Sequence, residues 1–447
     1  MNRPPRILFY VEIFTELDRP QFHDAWIAFS ARFMVGMMAA GHPASPETVR
    51  LLTNEALAEL APKHGFWDKL TSVVKEREFL EIFGTDYLTA TVDGYHGKTD
   101  EKVLDAAAQC LRRAVDGFEP DLIVTYTTAP WLQRAFPQAV VLHEEYGLFS
   151  RPPYPESFYL DPGGKFANAT IARNAAALRA YAADDAEREM VERIRTLFCR
   201  EIIPKVTPFA NLEAAIRKRW KTVMLLPLQY CGHYGFEGTG PYRTQGAVVR
   251  DVIERIDPNI AVLVVNHSTA HYHGTIPPPD LYAYLGRRHE NLLFHDSINM
   301  VMHASQYLLA HVDMVATVSS SVGLQAVLWD KPVVALGDSH INALADYTRV
   351  EDVPTTAPAR PAWDKTGALA WLIRHYYIPA AYLQNKDWMT AFTERCITRH
   401  RAGVTGLDFF DPIDTPDAVA RAICDNADLK VPRFLRTAPS PAQPAAP

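Results

Sequence analysis

Short apolar runs alternate with longer helical stretches in the second half of the chain, and this alternation limits the possible fold more than any other feature. Runs at 223–229, 260–267, 291–296, 314–320 and 332–337 are each followed by helical periodicity or a polar loop. Strands that alternate with helices pair in parallel, because each helix returns the chain to the same end of the sheet. The pattern predicts an α/β fold with a parallel sheet of the nucleotide-binding type.

The first half of the chain also contains predicted strands and helices, but they alternate less regularly. Its predicted elements are a first strand at 7–13, a helix-rich region up to residue 84, a helix at 101–115, strands at 120–126 and 139–145, and a helix at 171–198. The last is expected to be one long helix, because it is rich in Ala, Arg and Glu and contains no proline. Together the two halves predict two Rossmann-like domains that face a cleft.

Prolines and changes of pattern predict the domain limits. A first domain spans 1–205, and a hinge at 206–220 separates it from a second domain at 221–400. A helical segment at 401–431 follows. Residues 432–447 are rich in proline and alanine and are predicted to form a disordered tail.

Charge and cysteine content exclude several classes of protein. The 447 residues include 45 basic and 52 acidic side chains, a net charge of −7, which is the wrong sign for binding nucleic acid through bulk charge. The five cysteines form no CxxC pair, which is typical of a reducing cytoplasm and excludes a cysteine zinc site. Charged residues interrupt every long apolar run, so we expect peripheral membrane contact at most. The basic cluster at 217–219 could touch anionic lipid or belong to a solvated hinge helix.

A run of serines follows the predicted strand at 314–320. Ser319, Ser320, Ser321 and Gly323 stand where that strand gives way to a helix. Hydroxyls and free backbone N–H groups at a helix N-terminus bind phosphate, because they also lie at the positive end of the helix dipole. A simple N-cap explains the same residues about equally well.

Polar side chains also follow the two preceding strands. Gln229 ends the run at 223–229 and could contact a base or a sugar hydroxyl, or form an internal hydrogen bond. His267 follows the next run, with His271 and His273 close behind. Because no carboxylate or cysteine accompanies these histidines, we predict no metal site. We expect His267 to donate to a phosphate or a carboxylate.

Acidic residues follow the strand at 139–145. Glu144 and Glu145 stand at its end, and Asp161 lies in a Pro-Gly turn farther along. Two carboxylates could supply the base and the nucleophile of glycosyl transfer. Solvated glutamates and a turn-forming aspartate are the alternative interpretation.

These motifs, in this order, resemble the capsule polysaccharide biosynthesis family, which includes the bacterial β-Kdo (3-deoxy-D-manno-oct-2-ulosonic acid) transferases. The segment ATVSSSVGLQAVLWDKPVVALG at 316–337 is similar to that family's TxxSSxGxEAxxxGKPVxxxG signature. LLPLQ at 225–229, VVNHS at 264–268, EEYGLFSR at 144–151 and FYLDPGG at 158–164 are similar to further segments. The chain departs from the pattern at Gln325, Ser268 and Asp330, where the family usually has Glu, Pro and Gly.

The resemblance implies a GT-B glycosyltransferase that moves a sugar from a nucleotide donor, most plausibly CMP-activated Kdo, onto a capsule polysaccharide, lipopolysaccharide or other surface glycan. It implies an acceptor-side first domain, a donor-binding second domain, and work in the cytoplasm with peripheral contact to the inner membrane. Asp161 is then the nucleophile of a retaining reaction, and Glu145 or Glu144 handles the acceptor proton. The implied donor-binding residues are Ser319, Ser320, Ser321, Gly323, Gln325, Gln229 and His267. Arg151 would pair with the sugar carboxylate or phosphate. No cofactor or divalent metal is implied.

Two other functions stay open at this stage. A UDP-sugar hexosyltransferase or a nucleotide-sugar epimerase would share the two-domain form without needing Asp161 as a nucleophile. A catalytically inactive scaffold that binds a glycan or a partner enzyme would account for the changed Gln325 and Ser268.

Overall fold

The computed structural model describes residues 3–13, 45–66, 68–84, 86–229, 231–267, 277–354 and 362–430. Ser268, His271, His273 and the predicted tail at 432–447 lie outside the described residues. The described part of the chain forms two sheets, each with helices beside it.

The first sheet has seven strands in the order β12-β6-β5-β4-β1-β2-β3. Strands β1 to β5 pair in parallel, whereas β6 pairs antiparallel with both β5 and β12. The strand order reverses between β1 and β4, because β2 and β3 lie on one side of β1 and β4 and β5 lie on the other. Ligands bind at this point in folds of this type. The strands are β1 (Ile7–Tyr10), β2 (Val49–Thr53), β3 (Thr71–Val73), β4 (Leu122–Thr125), β5 (Val140–Tyr146), β6 (Ser157–Asp161) and β12 (Ile378–Pro379).

The second sheet has five parallel strands in the order β11-β10-β7-β8-β9, so its reversal point lies between β7 and β10. Every residue of β7, β8, β10 and β11 is buried, as expected of strands covered by helices on both faces. The strands are β7 (Thr222–Pro227), β8 (Ile260–Val265), β9 (Leu292–Phe294), β10 (Met314–Thr317) and β11 (Val333–Ala335).

Helices connect the strands and return the chain between them. In the first part of the chain they are α1 (Glu55–Ala58), α2 (Glu76–Phe83), α3 (Tyr87–Tyr95), α4 (Glu101–Ala114), α5 (Pro130–Ala135), α6 (Thr170–Arg173), α7 (Ala175–Arg179), α8 (Asp185–Arg195), α9 (Ile203–Val206) and α10 (Ala210–Arg217). In the second part they are α11 (Tyr234–Glu237), α12 (Gln245–Arg255), α13 (Pro279–Gly286), α14 (Asp296–Asn299), α15 (Ala304–Leu308), α16 (Ser321–Leu328), α17 (Thr366–Trp371), α18 (Lys386–Arg401) and α19 (Pro416–Cys424). Two π-helical stretches, Thr196–Ile202 and Leu372–Tyr376, continue α8 and α17.

The prediction of two Rossmann-like domains is confirmed, and the predicted helix at 171–198 is wrong. That segment is divided into α6, α7 and α8, with a break before Asp184. Asp184 starts α8 as its N-cap, because its side chain accepts from the backbone N–H of Glu187 and the Glu187 side chain bonds back. A local capping box therefore overrides the uniform helix propensity of the segment.

The chain returns to the first sheet after completing the second one, so the predicted second domain at 221–400 needs correction. Ile378 of β12 pairs with Phe158 of β6 in the first sheet. Helix α17 packs against α8, and α18 packs against β4 and β5. Residues 366–401 therefore belong with the first unit, by which we mean the seven-stranded sheet and its helices; the five-stranded sheet and its helices are the second unit.

The two units share one apolar core. Tyr154 and Phe198 pack together with ring centroids 4.7 Å apart, and Trp329 of the second unit donates its indole N–H to the Tyr154 hydroxyl at 2.9 Å. No helix in the described ranges is long and apolar enough to cross a membrane.

Candidate active site

A cavity of about 750 Å³ opens between the two units. It lies beyond the carboxyl ends of β4, β7 and β11, where open parallel sheets bind their ligands. The first unit contributes wall residues from 94–97, 128–133, 141–143 and 162–173, and the second unit from 237–241 and 337–338. The cavity therefore needs both units to exist.

Glycines bring the backbone of both units to the surface of this cavity. A Cβ atom on Gly337 would lie 2.4 Å from the carbonyl oxygen of Thr239, and a Cβ on Gly163 would lie 2.8 Å from the Thr170 hydroxyl. Such distances are shorter than real Cβ contacts, so a side chain at either position would displace the wall. The glycines keep the cavity open and present its peptide groups to a ligand.

Ionisable side chains line both walls of the cavity. The first unit supplies His96, His143 and Arg173, and the second unit supplies Glu237 and Asp338. Arg173 is held in place by a hydrogen bond of 2.8 Å that it donates to the side-chain oxygen of Asn168. The cavity thus offers a cation and a carboxylate to a polar ligand.

His143 of β5 lines the cavity, and its hydrogen bonding defines its protonation state. Its Nδ1 lies 3.2 Å from the carbonyl oxygen of Asp161, and since a carbonyl only accepts, Nδ1 carries the proton. Burial, followed by the charges of Lys165 and Arg173, lowers the pKa of His143 to about 4, against the opposing effect of the Asp161 carbonyl. The imidazole is therefore neutral at pH 7.

Asp161, the predicted nucleophile, does not line the cavity in this arrangement. Its side chain is 0% exposed, and both carboxylate oxygens already accept two hydrogen bonds each. The donors are the Gly163 N–H, the Thr170 N–H and hydroxyl, and the Tyr376 hydroxyl, at 2.5 to 2.7 Å. Asp161 holds the turn that forms one cavity wall, which is the alternative that the sequence left open.

Glu144 and Glu145 point to opposite faces of β5, because successive strand residues alternate. Glu144 is buried at 2% exposure. Glu145 is partly exposed and forms an ion pair of 2.7 Å with Lys165, whose side chain is 0% exposed. The Lys165 ammonium also donates to the carbonyl of Tyr126 and lies 3.4 Å from the centre of its ring. Glu145 therefore balances a buried cation beside the cavity.

The predicted phosphate residues lie at the reversal point of the second sheet. The Gln229 amide donates to the Ser319 hydroxyl at 2.8 Å and accepts from the Ser319 backbone N–H at 3.0 Å. The Ser320 hydroxyl caps α16 by accepting from the backbone N–H of Val322. A Cβ on Gly323 would lie 2.8 Å from the Thr317 methyl, so this glycine allows α16 to approach β10. Gln229 and these residues therefore connect the ends of β7 and β10 and the start of α16, where we predicted donor contacts.

Ser150 and Ser321 meet across the two units, and Arg151 follows Ser150 in the chain. The Ser321 hydroxyl lies 3.1 Å from the Ser150 hydroxyl, and Arg151 lies over the Tyr146 ring at 4.5 Å. The Arg151 charge also helps burial to lower the pKa of His303, on the second unit, to about 4. Arg151 is therefore one residue along the chain from the contact between Ser150 and the first residue of α16. His267 is partly exposed just after β8.

Gln325 is a contact between the units rather than a ligand contact. It is 0% exposed, and its amide N–H donates to the carbonyl oxygen of Leu148 at 3.1 Å. An ionised glutamate, the residue usual in the family, could not make this bond. The hydrogen bond to Leu148 therefore accounts for glutamine, rather than the usual glutamate, at position 325.

Replacing Gln325 by Glu is expected to lower the free energy of unfolding by about 2–4 kcal/mol at pH 8, because a buried carboxylate would face a carbonyl oxygen. The loss should shrink at pH 5, where a protonated carboxyl can donate to Leu148. Thermal unfolding at both pH values measures the difference. Gln133→Glu is the matched control, because the exposed Gln133 also donates to a backbone carbonyl, that of Pro137. An equal loss in both variants would contradict the assigned contact.

None of the site residues predicted from the sequence, all of them within the described ranges, lines the cavity itself. The residues that do so and were missed are Tyr95, His96, Thr128, His143, Arg173, Glu237 and Asp338. His143 directly precedes the acidic pair, and its place near the end of a predicted strand was the signal available. In the described ranges, no three His, Cys, Asp or Glu side chains are placed to hold a metal ion.

Comparison with known proteins supports the family resemblance. The sequence model of the family described as capsule polysaccharide biosynthesis protein matches residues 167–345, which is less than half of the chain. No curated protein sequence matches the chain significantly. The matched region holds all five strands of the second sheet and the serine run at the start of α16.

Several solved structures align with this chain at low similarity. The β-Kdo 2,7-transferase KpsC of Thermosulfurimonas dismutans is 16% identical, covers 67% of this chain and 95% of its own, and has a TM-score of 0.39. A β-Kdo 2,4-transferase structure of KpsC from the same organism is 16% identical, covers 56% and 79%, and has a TM-score of 0.34. A putative UDP-N-acetylglucosamine 2-epimerase of Listeria monocytogenes is 13% identical, covers 90% and 98%, and has a TM-score of 0.33. At these values the likeness transfers no activity to this chain. The family match does confirm the resemblance: residues 167–345 carry the sequence pattern of the capsule polysaccharide biosynthesis family.

Proposed function

We propose that this protein is a glycosyltransferase that moves a sugar from a nucleotide donor onto a surface polysaccharide or glycolipid. The observation that carries the proposal is the cavity between the two sheets, beyond the carboxyl ends of parallel strands of both, in a chain whose residues 167–345 match the capsule polysaccharide biosynthesis family. Transfer between two substrates requires a site that both can enter, and a cavity shared by two units provides one. The nucleotide sugar is a substrate, and the proposed reaction uses no resident cofactor.

The donor that we propose is a CMP-activated acidic sugar of the Kdo type. Support comes from the motif resemblance and from two cationic side chains near the interface of the units. Arg173 lies in the cavity wall, and Arg151 follows Ser150, which contacts the first residue of α16. A guanidinium binds a carboxylate or phosphate through two parallel hydrogen bonds.

A thermal-shift assay with CMP, CDP, UDP, GDP and ADP tests the donor class, because a ligand of the folded state raises the melting temperature. The proposal expects a shift with CMP, and transfer from CMP-Kdo generated in the assay. Arg173→Gln should weaken binding of the acidic sugar donor more than binding of CMP itself. Arg287→Gln, which removes an exposed guanidinium at the end of α13, is the matched control.

The other outcomes decide between the remaining functions. A shift with UDP or GDP alone would replace the CMP-sugar donor by a hexose donor or an epimerase substrate. Glycan binding without a shift for any nucleotide, and without transfer, would favour an inactive scaffold and overturn the proposal.

A further inference from the structure

His143 presents a hydrogen-bond acceptor to the cavity. Its Nδ1 donates to the Asp161 carbonyl oxygen and the imidazole is neutral, so Nε2 carries a lone pair and no proton. The side chain lines the cavity, and within the described part of the chain no donor reaches Nε2. A lone pair at this position attracts an O–H or N–H group of a ligand and repels a carboxylate or phosphate oxygen.

The first sheet holds His143 in place. His143 pairs with Thr125 of β4 on one side and with Asp161 of β6 on the other. The Asp161 carboxylate accepts from the backbone N–H groups of Gly163 and Thr170, which fixes the turn that follows β6. A side chain on a paired central strand is held more precisely than one on a loop, and a group that distinguishes between ligands needs this precision.

A second polar group of the same wall has no partner among the described residues. Thr128 comes three residues after the end of β4 and lines the cavity at 9% exposure. Its hydroxyl oxygen is buried and makes no hydrogen bond within the described ranges. Because buried hydroxyls nearly always have a partner, one that lacks it in a cavity wall indicates a ligand or a water molecule. The Thr128 hydroxyl can both donate to and accept from a hydroxyl group.

Charges in the two walls determine where an acidic sugar binds. Arg173, in the wall of the first unit, can pair with a carboxylate. The wall of the second unit contains the carboxylates of Glu237 and of the exposed Asp338, which repel another carboxylate. An acidic sugar is therefore held by the first unit, where Nε2 of His143 and the Thr128 hydroxyl are available to its hydroxyl groups.

We propose that His143 and Thr128 are specificity-determining residues that bind hydroxyl groups of the donor sugar. The inference rests on the proposed glycosyltransferase function and adds two residues that neither the motifs nor the family match assigns. A donor that lacks the bound hydroxyl would leave polar atoms of the wall without partners, and this loss makes such a site selective. The role requires no protonation of His143, so the burial and the neighbouring cations that lower the pKa of His143 support it.

The test uses CMP-Kdo and a set of analogues, each lacking one hydroxyl of the sugar, with dissociation constants measured by titration calorimetry on the full chain. The wild type should bind one analogue about 10- to 100-fold more weakly than CMP-Kdo. His143→Asn keeps an N–H near the position of Nδ1 and removes the acceptor. It should weaken binding of CMP-Kdo by a similar factor and leave binding of that analogue unchanged. Such non-additivity identifies the hydroxyl that His143 contacts.

Two further variants separate hydrogen bonding from a structural role. The amide of His143→Gln reaches the position of Nε2 and offers an accepting oxygen, although it loses the bond to the Asp161 carbonyl. This variant should therefore keep more of the preference for CMP-Kdo than His143→Asn does, whereas a purely structural role predicts the reverse. Thr128→Val should lose discrimination at one hydroxyl in the same way. Thr398→Val, exposed on α18 and outside the cavity, is its matched control and should bind every donor as the wild type does.

The outcomes distinguish this inference from the proposed function. If the wild type binds CMP-Kdo and all of its analogues within about threefold of one another, the hydroxyl contacts are overturned. Folded His143 and Thr128 variants that lose affinity equally for every donor would overturn them too. If the wild type binds neither CMP nor CMP-Kdo, the proposed function has failed instead.

Discussion

Replacing Asp161 by alanine is expected to lower the free energy of unfolding by about 3–5 kcal/mol. The four donors that surround the carboxylate would lose their acceptor, and at least the Thr170 N–H and the Tyr376 hydroxyl are buried with it. Hydrogen bonds to a charged group contribute more than neutral ones, and unpaired buried donors add their desolvation cost. Urea unfolding followed by circular dichroism measures the change.

Asp161→Asn separates the structural role from a nucleophilic one. The amide nitrogen cannot accept from the Thr170 N–H, so this variant should also lose stability, by about 1–3 kcal/mol. The control is Asp338→Asn, because Asp338 is exposed in the opposite cavity wall and should affect stability by less than about 0.5 kcal/mol. A sugar adduct trapped on Asp161 of the wild type, together with an Asp161→Asn protein that keeps its full stability and loses both the adduct and all transfer, would restore the nucleophile.

A loss of similar size is expected when Lys365 is replaced by methionine. Lys365, which precedes α17, pairs with Asp346, which follows β11, and their side chains are 3% and 0% exposed. Asp346 also accepts from the backbone N–H groups of Val333 and Ala362, at 2.8 and 2.7 Å. Without the ammonium, the buried carboxylate would keep an uncompensated charge, at a cost of about 3–5 kcal/mol. Urea unfolding of the full chain tests this.

The double variant Lys365→Met with Asp346→Asn should recover part of that loss, because it removes the charge left behind. Arg134→Met is the surface control. Its ion pair with Asp105 is exposed on both sides and should contribute less than about 1 kcal/mol. If the double variant were less stable than the single one by a further 3 kcal/mol, the backbone contacts of Asp346 would matter more than its charge.

The sequence predicted the second sheet well, because each of its strands is a continuous apolar run. The first sheet was harder. Strands β2 and β3 were missed inside a region expected to be helical, and β12 has two residues. Such a short strand forms only because it pairs with the edge strand β6. The local sequence of β12 therefore does not predict it.

The sequence analysis pointed to a strand that borders the cavity but not to the side chain of that strand that lines it. His143, Glu144 and Glu145 are consecutive in β5, and their burial and partners separate them. His143 lines the cavity, Glu144 is buried in the sheet, and Glu145 forms an ion pair with Lys165. Which face of a strand meets the second unit depends on contacts from distant parts of the chain. For the same reason, the burial of Asp161 by Tyr376 could not be predicted.

The pairing of β12 with β6 also affects how the protein is made. Strand β6 leaves the ribosome more than 200 residues before Ile378, so its outer edge waits tens of seconds at about 5–20 residues per second. During that wait an unpaired strand edge can pair with another nascent chain. We therefore expect yields in a heterologous host to rise with slower translation or with more chaperone, and expression of residues 1–365 alone to give aggregates.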